Sequence, residues 1–190
     1  MTQYFLALLR LFGAPRKRPC RRNQRCAPPR GLILSQWSLP DYRVGLGRFG
    51  RVGCEICAVY NVLLRCRKAI PLWEIIDSFT ARRSLMLLGL GGTDPFTIGP
   101  WLAERGVGTQ CYGGRRAWDG FCAAARQDGL YIVSYWTRPW NLHTVAFAVR
   151  CGVLEVWNAG HPRRRGAVED IVPHLRRRFI LGYRITEPLL

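Results

Sequence analysis

Apolar positions along this chain change period near residue 130. Before that point they recur at helical spacing. Over residues 54–67, Ile56, Tyr60 and Leu63 share one face, and Cys54, Cys57, Ala58 and Asn61 share another at i, i+3, i+4 and i+7. Valine and leucine fill most of the rest, which predicts a helix buried nearly all round. Gly53 and Lys68 suit its two ends. A second helix is predicted over 70–83, with Pro71 in its first turn. Shorter helices are predicted over 96–106 and 117–129, each stopped by glycine. Beyond residue 130 the period becomes two. Strands are predicted at 131–136, 142–149 and 153–158, the last two joined by a tight Arg150-Cys151-Gly152 link. His143, Val145, Phe147 and Val149 fall on one strand face. A helix over 166–178, weakened by Pro173, leads to a last strand at 179–185. Residues 31–53 read as an irregular, glycine-rich lead-in, and 88–95 as a loop. Helices first and an antiparallel sheet afterwards is the α+β order.

Composition adds limits. A chain of 190 residues, 48% of them hydrophobic, suits one domain with an appendage and can bury a core without disulfides or metal. No run of apolar residues is long enough to span a bilayer. The opening MTQYFLALLRLFG lacks the basic flank and cleavage site of a secretory signal and reads as a short amphipathic helix or a frayed end. The net charge is +17, and every cation except Lys17 and Lys68 is arginine. Such a surface attracts polyanions, or is simply a solvated basic face. Pro15 to Arg30 holds seven cations and no acid. The expected division is therefore a poorly ordered basic arm at 1–30, a candidate polyanion contact, and one folded domain at 31–190. Without an export signal, the eight cysteines are expected to be reduced thiols in a cytoplasmic protein. Cys66, Cys122 and Cys151 read as small hydrophobes.

Three features carry chemistry. Cys54 opens a buried helix, whose positive N-terminal end stabilises a thiolate and is expected to lower its pKa. Cys57, one turn further in, lacks that advantage. Histidine is scarce: His161 reads as a loop residue, His174 as a surface one, and His143 opens a strand. By hairpin arithmetic His143 faces a residue near 158 or 159, where Asn158 stands. A thiol, an imidazole and an orienting amide form a nucleophile, base and orienter set.

These residues resemble a papain-like cysteine peptidase. The flavour is that of the bacteriocin-processing, double-glycine peptidase domains and a group of small uncharacterised bacterial proteins related to them. Gly53-Cys54-Glu55, Ala58, Tyr60-Asn61 and Leu63 resemble that group's nucleophile segment. The lead-in PDYRVGLGRFGRVG, the loop GLGGTDPFTIGPWL and the strands YIVSYW, LHTVAFAV and VWNAG resemble its further segments. The likeness runs from about residue 38 to 185. It implies a papain-like fold in which the buried helix carrying the cysteine packs on a C-terminal antiparallel sheet. It implies Cys54 as nucleophile, His143 as general base and Asn158 as orienter, acting on a peptide or protein substrate through an acyl-enzyme without metal or cofactor. The position six residues before the cysteine, where the family carries an amide to hold the oxyanion, is Arg48 here; Gln36 is a distant candidate. The double-glycine enzymes carry aspartate where this chain has Asn158.

Rival readings remain. Cys54-x-x-Cys57 could be a redox pair, but no strand precedes it. With Cys20 and Cys26 it could complete a zinc set, though the spacing departs from a standard knuckle. The arginines could grip nucleic acid, without any recognised binding motif. A papain-like domain that has lost catalysis and binds a peptide or protein partner is the alternative that Arg48 keeps open.

Overall fold

The structure is a computed structural model that describes residues 20–82, 84–138, 141–158 and 175–187. The described helices are α1 (Arg21–Gln24), α2 (Phe49–Val52), α3 (Cys54–Arg65), α4 (Leu72–Ala81), α5 (Ile98–Ala103), α6 (Trp118–Ala124) and α7 (Leu175–Arg178). The strands are β1 (Arg43–Val44), β2 (Gly47–Arg48), β3 (Thr109–Gly113), β4 (Gly129–Arg138), β5 (Asn141–Arg150), β6 (Val153–Trp157) and β7 (Phe179–Ile185). β1 and β2 form a small hairpin, and the other five make one antiparallel sheet ordered β3-β7-β4-β5-β6. The α+β class is as the hydrophobic periods predict.

α3 packs on β5 at the middle of the molecule. Every residue from Cys54 through Leu63 is buried, which explains why its apolar positions go nearly all the way round. β4 is buried on both faces. Leu130 and Ile132 join the core under α3 and α4, whereas Tyr131, Val133 and Tyr135 join a second cluster built on Trp118 and Phe121 of α6. At its far end α3 is clamped to β6. Arg65 pairs with Glu155 at 2.8 Å and lies 5.2 Å over the Trp157 ring, and the Trp157 indole donates to Glu155.

The β5–β6 link is a two-residue turn. Cys151 and Gly152 both have positive φ, 50° and 72°, the backbone a type I′ turn requires. Arg150 then faces Val153, and the ladder ends at Ala146 opposite Trp157.

The lead-in is more ordered than its composition implies. It contains a 3₁₀ turn at Gln36–Ser38, the β1–β2 hairpin and α2. Two asparagines thread it past the core. Asn61 of α3, fully buried, accepts from the Ile33 N–H at 2.7 Å and donates to the Ile33 carbonyl at 2.9 Å. Asn158 binds the next residues, as described below. Residues 20–30, assigned from sequence to the basic arm, also pack. Asn23 is fully buried and bonds both backbone groups of Arg43, at 2.8 Å and 2.9 Å, and the Cys20 N–H donates to Asp77. The rest of that arm, 1–19, lies outside the described residues.

β3 is the strand the sequence pattern does not announce. It is an edge strand bonded to β7, with no residue fully buried and hence no alternation to read. Two helices are shorter than predicted: α5 starts only after the 3₁₀ turn Pro95–Thr97 and stops at Ala103, and α6 stops at Ala124, where the chain turns into β4. Of the helix expected over 166–178, only its last four residues are described. His161, His174 and the arginines at 163–165 fall outside.

Candidate functional site

α2 and α3 meet at Gly53, where a side chain would not fit: a Cβ would sit 2.8 Å from the Phe49 carbonyl and 2.9 Å from the Phe49 ring. At Gly50 the close neighbour is a side chain, the Cβ position lying 2.8 Å from the ring of exposed Trp37. This close packing lays α2 against the 3₁₀ turn and brings Gln36 and Trp37 up to the start of α3. Beside them is a cavity of about 290 Å³ lined by Gln36, Trp37, Arg51, Cys54, His143 and Asn158, with Ser35, Thr137, Asn141 and Leu142 completing its wall. Three of the four expected site residues thus line one cavity.

The fourth, Arg48, does not. It is exposed on β2 opposite Arg43 and is absent from the cavity wall. The reason is local. Residues 49–52 coil into α2 instead of extending along the cavity, so six positions before the cysteine lead away from it. Of the side-chain amides on the wall, Gln36, Asn141 and Asn158, the one tied to α2 is Gln36, which is 7% exposed and donates from Nε2 to the Gly50 carbonyl at 2.7 Å.

His143 and Asn158 meet, but not as the hairpin arithmetic expects. The imidazole Nε2 lies 2.9 Å from the backbone carbonyl of Asn158. The carboxamide turns instead to Gln36, accepting from its N–H at 2.8 Å and donating to its Oε1 at 3.0 Å, while the Asn158 N–H donates to the Leu34 carbonyl. The cause is the backbone: Asn158 has φ of +63°, a left-handed conformation that asparagine tolerates better than most. That twist takes it off the β6 ladder and swings its carbonyl toward the histidine. A carbonyl only accepts, so Nε2 carries the proton and Nδ1 is the nitrogen left with a lone pair. Burial holds the His143 pKa below its usual 6.5, which keeps the ring neutral, and the bond to Asn158 partly offsets this. Tyr135 meets the ring edge-on at 5.7 Å.

Cys54 departs from expectation in its electrostatics. Burial, the charge of Glu55 and the bond to that carboxyl together raise the thiol well above its ordinary pKa, with the Thr144 backbone acting in the opposite direction. The sulfur is only 4% exposed with its residue and donates to Glu55 Oε2 at 3.1 Å. Desolvation thus outweighs the helix end, which contributes fractions of a charge. Among the described residues no hydrogen bond joins the Cys54 thiol to the His143 ring. Cys57, one turn in, is fully buried and likewise raised by burial and Glu55. All eight cysteines are free. Cys20 and Cys26 stay with α1, where the Cys26 thiol donates to Arg22 O. Among the described residues no three His, Cys, Asp or Glu side chains gather as metal ligands. No described helix is long and apolar enough to cross a membrane.

Glu55 is the residue that sequence reasoning did not single out beyond its place in the motif. It is 1% exposed, and burial lifts its carboxyl from 4.5 to about 7. An acidic residue in a helix pattern without apolar gaps was the available signal.

An α+β domain with a thiol, an imidazole and three carboxamides around one cavity is what the fold and site define. No family model matches the chain, and no curated protein does. Among solved structures it is similar to a double glycine motif protease from an AMS/PCAT transporter, crystallised in complex with the leader peptide. The identity is 15% and the TM-score 0.44, over 70% of this chain and 84% of that one.

Proposed function

We propose that the chain is a cysteine peptidase or amidase that hydrolyses a peptide or amide bond, with Cys54 as nucleophile, His143 as base and Asn158 as orienter. The observation that carries this reading is the cavity: a thiol and a neutral imidazole, the imidazole held through Nε2 by a backbone carbonyl, face the same space. With Nε2 occupied, Nδ1 is the base. The thiol proton passes to Nδ1 as sulfur attacks the carbonyl carbon, and the carbonyl π pair moves to oxygen. His143 returns that proton to the leaving amine. Water then gives a proton to His143 Nδ1 as its oxygen attacks the thioester carbonyl, the C–S bond breaks, and the sulfur takes that proton back from His143. Gln36 takes the oxyanion role first assigned to Arg48, because Nε2 has a second hydrogen beyond the one given to Gly50. Asn158 has two duties: its carbonyl fixes the imidazole, and its carboxamide fixes Gln36.

The second reading, a peptide-binding domain without catalysis, draws on one observation: the thiol is bonded to Glu55 and carries a raised pKa. One experiment separates the two. The chain and its Cys54→Ala variant are incubated with a defined mixture of synthetic peptides, and products are read by mass spectrometry. The peptidase reading expects cleavage that vanishes in Cys54→Ala. Peptide retention by both proteins without cleavage would establish the binding reading instead.

A further inference from the structure

The group the proposed mechanism leaves unused is the buried carboxyl beside the sulfur. Glu55 Oε2 accepts from Cys54 at 3.1 Å, and Oε1 accepts from the Thr144 hydroxyl at 3.4 Å. Thr144 in turn shares a 2.8 Å bond with Ser134, so a chain of buried polar groups runs from β4 through β5 to the start of α3. No described lysine or arginine enters it. The titratable groups coupled to Glu55 are Cys54 and Cys57 on its own helix; in sequence, His143 precedes its β5 partner Thr144, and Asp94 follows Gly92 and Thr93 in the facing loop. A Cβ on Gly92 would lie 3.8 Å from Oε2, so that loop closes the remaining side. Asp94 caps the Pro95–Thr97 turn through the Phe96 N–H.

A carboxylate and a thiolate in contact, both out of water, cannot both hold a charge at neutral pH. We infer that Glu55 is a latch on Cys54: its carboxylate keeps the sulfur protonated and bonded to itself rather than to His143, and neutralising the carboxyl releases the thiol. In the latched state the S–H donates to Oε2. When Glu55 takes a proton, from solvent or as substrate displaces water, the pair loses its negative charge, and sulfur is free to give its own proton to His143 Nδ1. Glu55 is a positioning residue, acting through Cys54 and not on the substrate. Its buried carboxyl titrates near neutrality, so the latch is set within the ordinary pH range.

This inference rests on the peptidase reading only for its consequence in turnover. The coupling of thiol to carboxyl is measurable without any substrate, so the two can fail separately. The test is the rate of Cys54 alkylation by iodoacetamide against pH, read by mapped mass spectrometry on the full chain. Glu55→Gln keeps the shape and removes the charge. The alkylation midpoint is expected to fall by about one pH unit or more, a roughly tenfold faster reaction below both midpoints. Adding His143→Ala to Glu55→Gln is expected to take back part of that gain. A folded Glu55→Gln protein with an unmoved midpoint overturns the latch, because a merely space-filling Glu55 predicts that result. Linkage supplies the converse measurement should Glu55→Gln not fold. In Cys54→Ala the carboxyl loses a donor, so its infrared-detected protonation midpoint is expected to rise; a midpoint unchanged from the parent chain overturns the coupling as well.

Discussion

Replacing Glu55 by glutamine removes one titration from the core and leaves its volume in place, so the stability of the two proteins should diverge with pH. In the folded chain the carboxyl titrates at about 7, against 4.5 when unperturbed, and burial is the main cause. A raised carboxyl pKa means that the folded state binds more protons than the unfolded state between those values. Its stabilising contribution is complete below 4.5 and is lost as pH rises through about 7. At 1.36 kcal/mol per unit, the loss is about 3 kcal/mol. His143 works in the opposite direction, since its folded pKa lies below 6.5: its contribution is complete above 6.5 and is lost as pH falls through the folded value. Both proteins contain His143, so it cancels in their difference. Urea unfolding of the parent and Glu55→Gln chains from about pH 4 to about pH 8 measures that difference. It should be small at the acid end, where Glu55 is neutral in both states. Toward pH 8 Glu55→Gln should become the more stable protein by about 3 kcal/mol. Parallel stability curves, separated by the same amount at every pH, would refute a buried carboxyl titrating near neutrality.

Four further outcomes follow from the same geometry. Gln36→Ala should lower kcat by about 10²–10³, the usual loss of one oxyanion donor, whereas Arg48→Ala on exposed β2 should leave peptide cleavage unchanged. Asn158→Gly keeps the left-handed backbone and the carbonyl facing His143, so it should retain more turnover than Asn158→Ala, which adds strain at φ of +63° to the same loss of bonds to Gln36. Asn61→Ala leaves both backbone groups of Ile33 buried and unpaired, and thermal or urea melts should show a loss of about 2–4 kcal/mol. At neutral pH iodoacetamide should modify exposed Cys111 and Cys151 before Cys54, which mapped mass spectrometry reads directly.

Periodicity made most of the fold legible, because the buried faces are long. α3 and strands β4 to β7 present enough consecutive apolar positions to fix their type, and the ends came within a few residues. β3 escaped because an edge strand with no fully buried residue writes no alternation. The lead-in escaped for a different reason: its order comes from Asn61 and Asn158, which bond its backbone from residues 28 and 122 positions away. A composition-based reading sees only glycines there. For the site, chain order and spacing indicated which thiol and which imidazole would share a cavity. They could not say which atom of Asn158 would reach the ring. The hairpin count is also off in register: with Ala146 opposite Trp157, a continued ladder would carry His143 to residue 160, not to 158 or 159, and the ladder in fact ends at Trp157, after which the left-handed Asn158 offers the ring its carbonyl.

The helix-end argument for a reactive thiol needs a second condition that this chain does not meet at rest. A helix N-terminus offers about half a charge, and it does so best where water leaves the thiolate solvated. Cys54 is buried, and the next residue contributes a full negative charge 3.1 Å away when ionised. Of these opposed effects the larger two act on the same side, so the thiol is protonated at neutral pH. Activation must then occur during the reaction, by proton transfer to His143 as the carbonyl arrives, and not beforehand as a standing thiolate–imidazolium pair. A neutral, buried imidazole suits that order, since with its one proton on Nε2 it keeps Nδ1 free to accept a second. The pH profile of kcat/KM distinguishes the two regimes. A standing ion pair gives activity that begins at the low pKa of a thiolate. Transfer during attack gives activity that rises as His143 loses its proton, through a midpoint below 6.5. A plateau across neutral pH should then follow for Glu55→Gln, and a decline for the parent chain as Glu55 ionises near 7 and the latch closes.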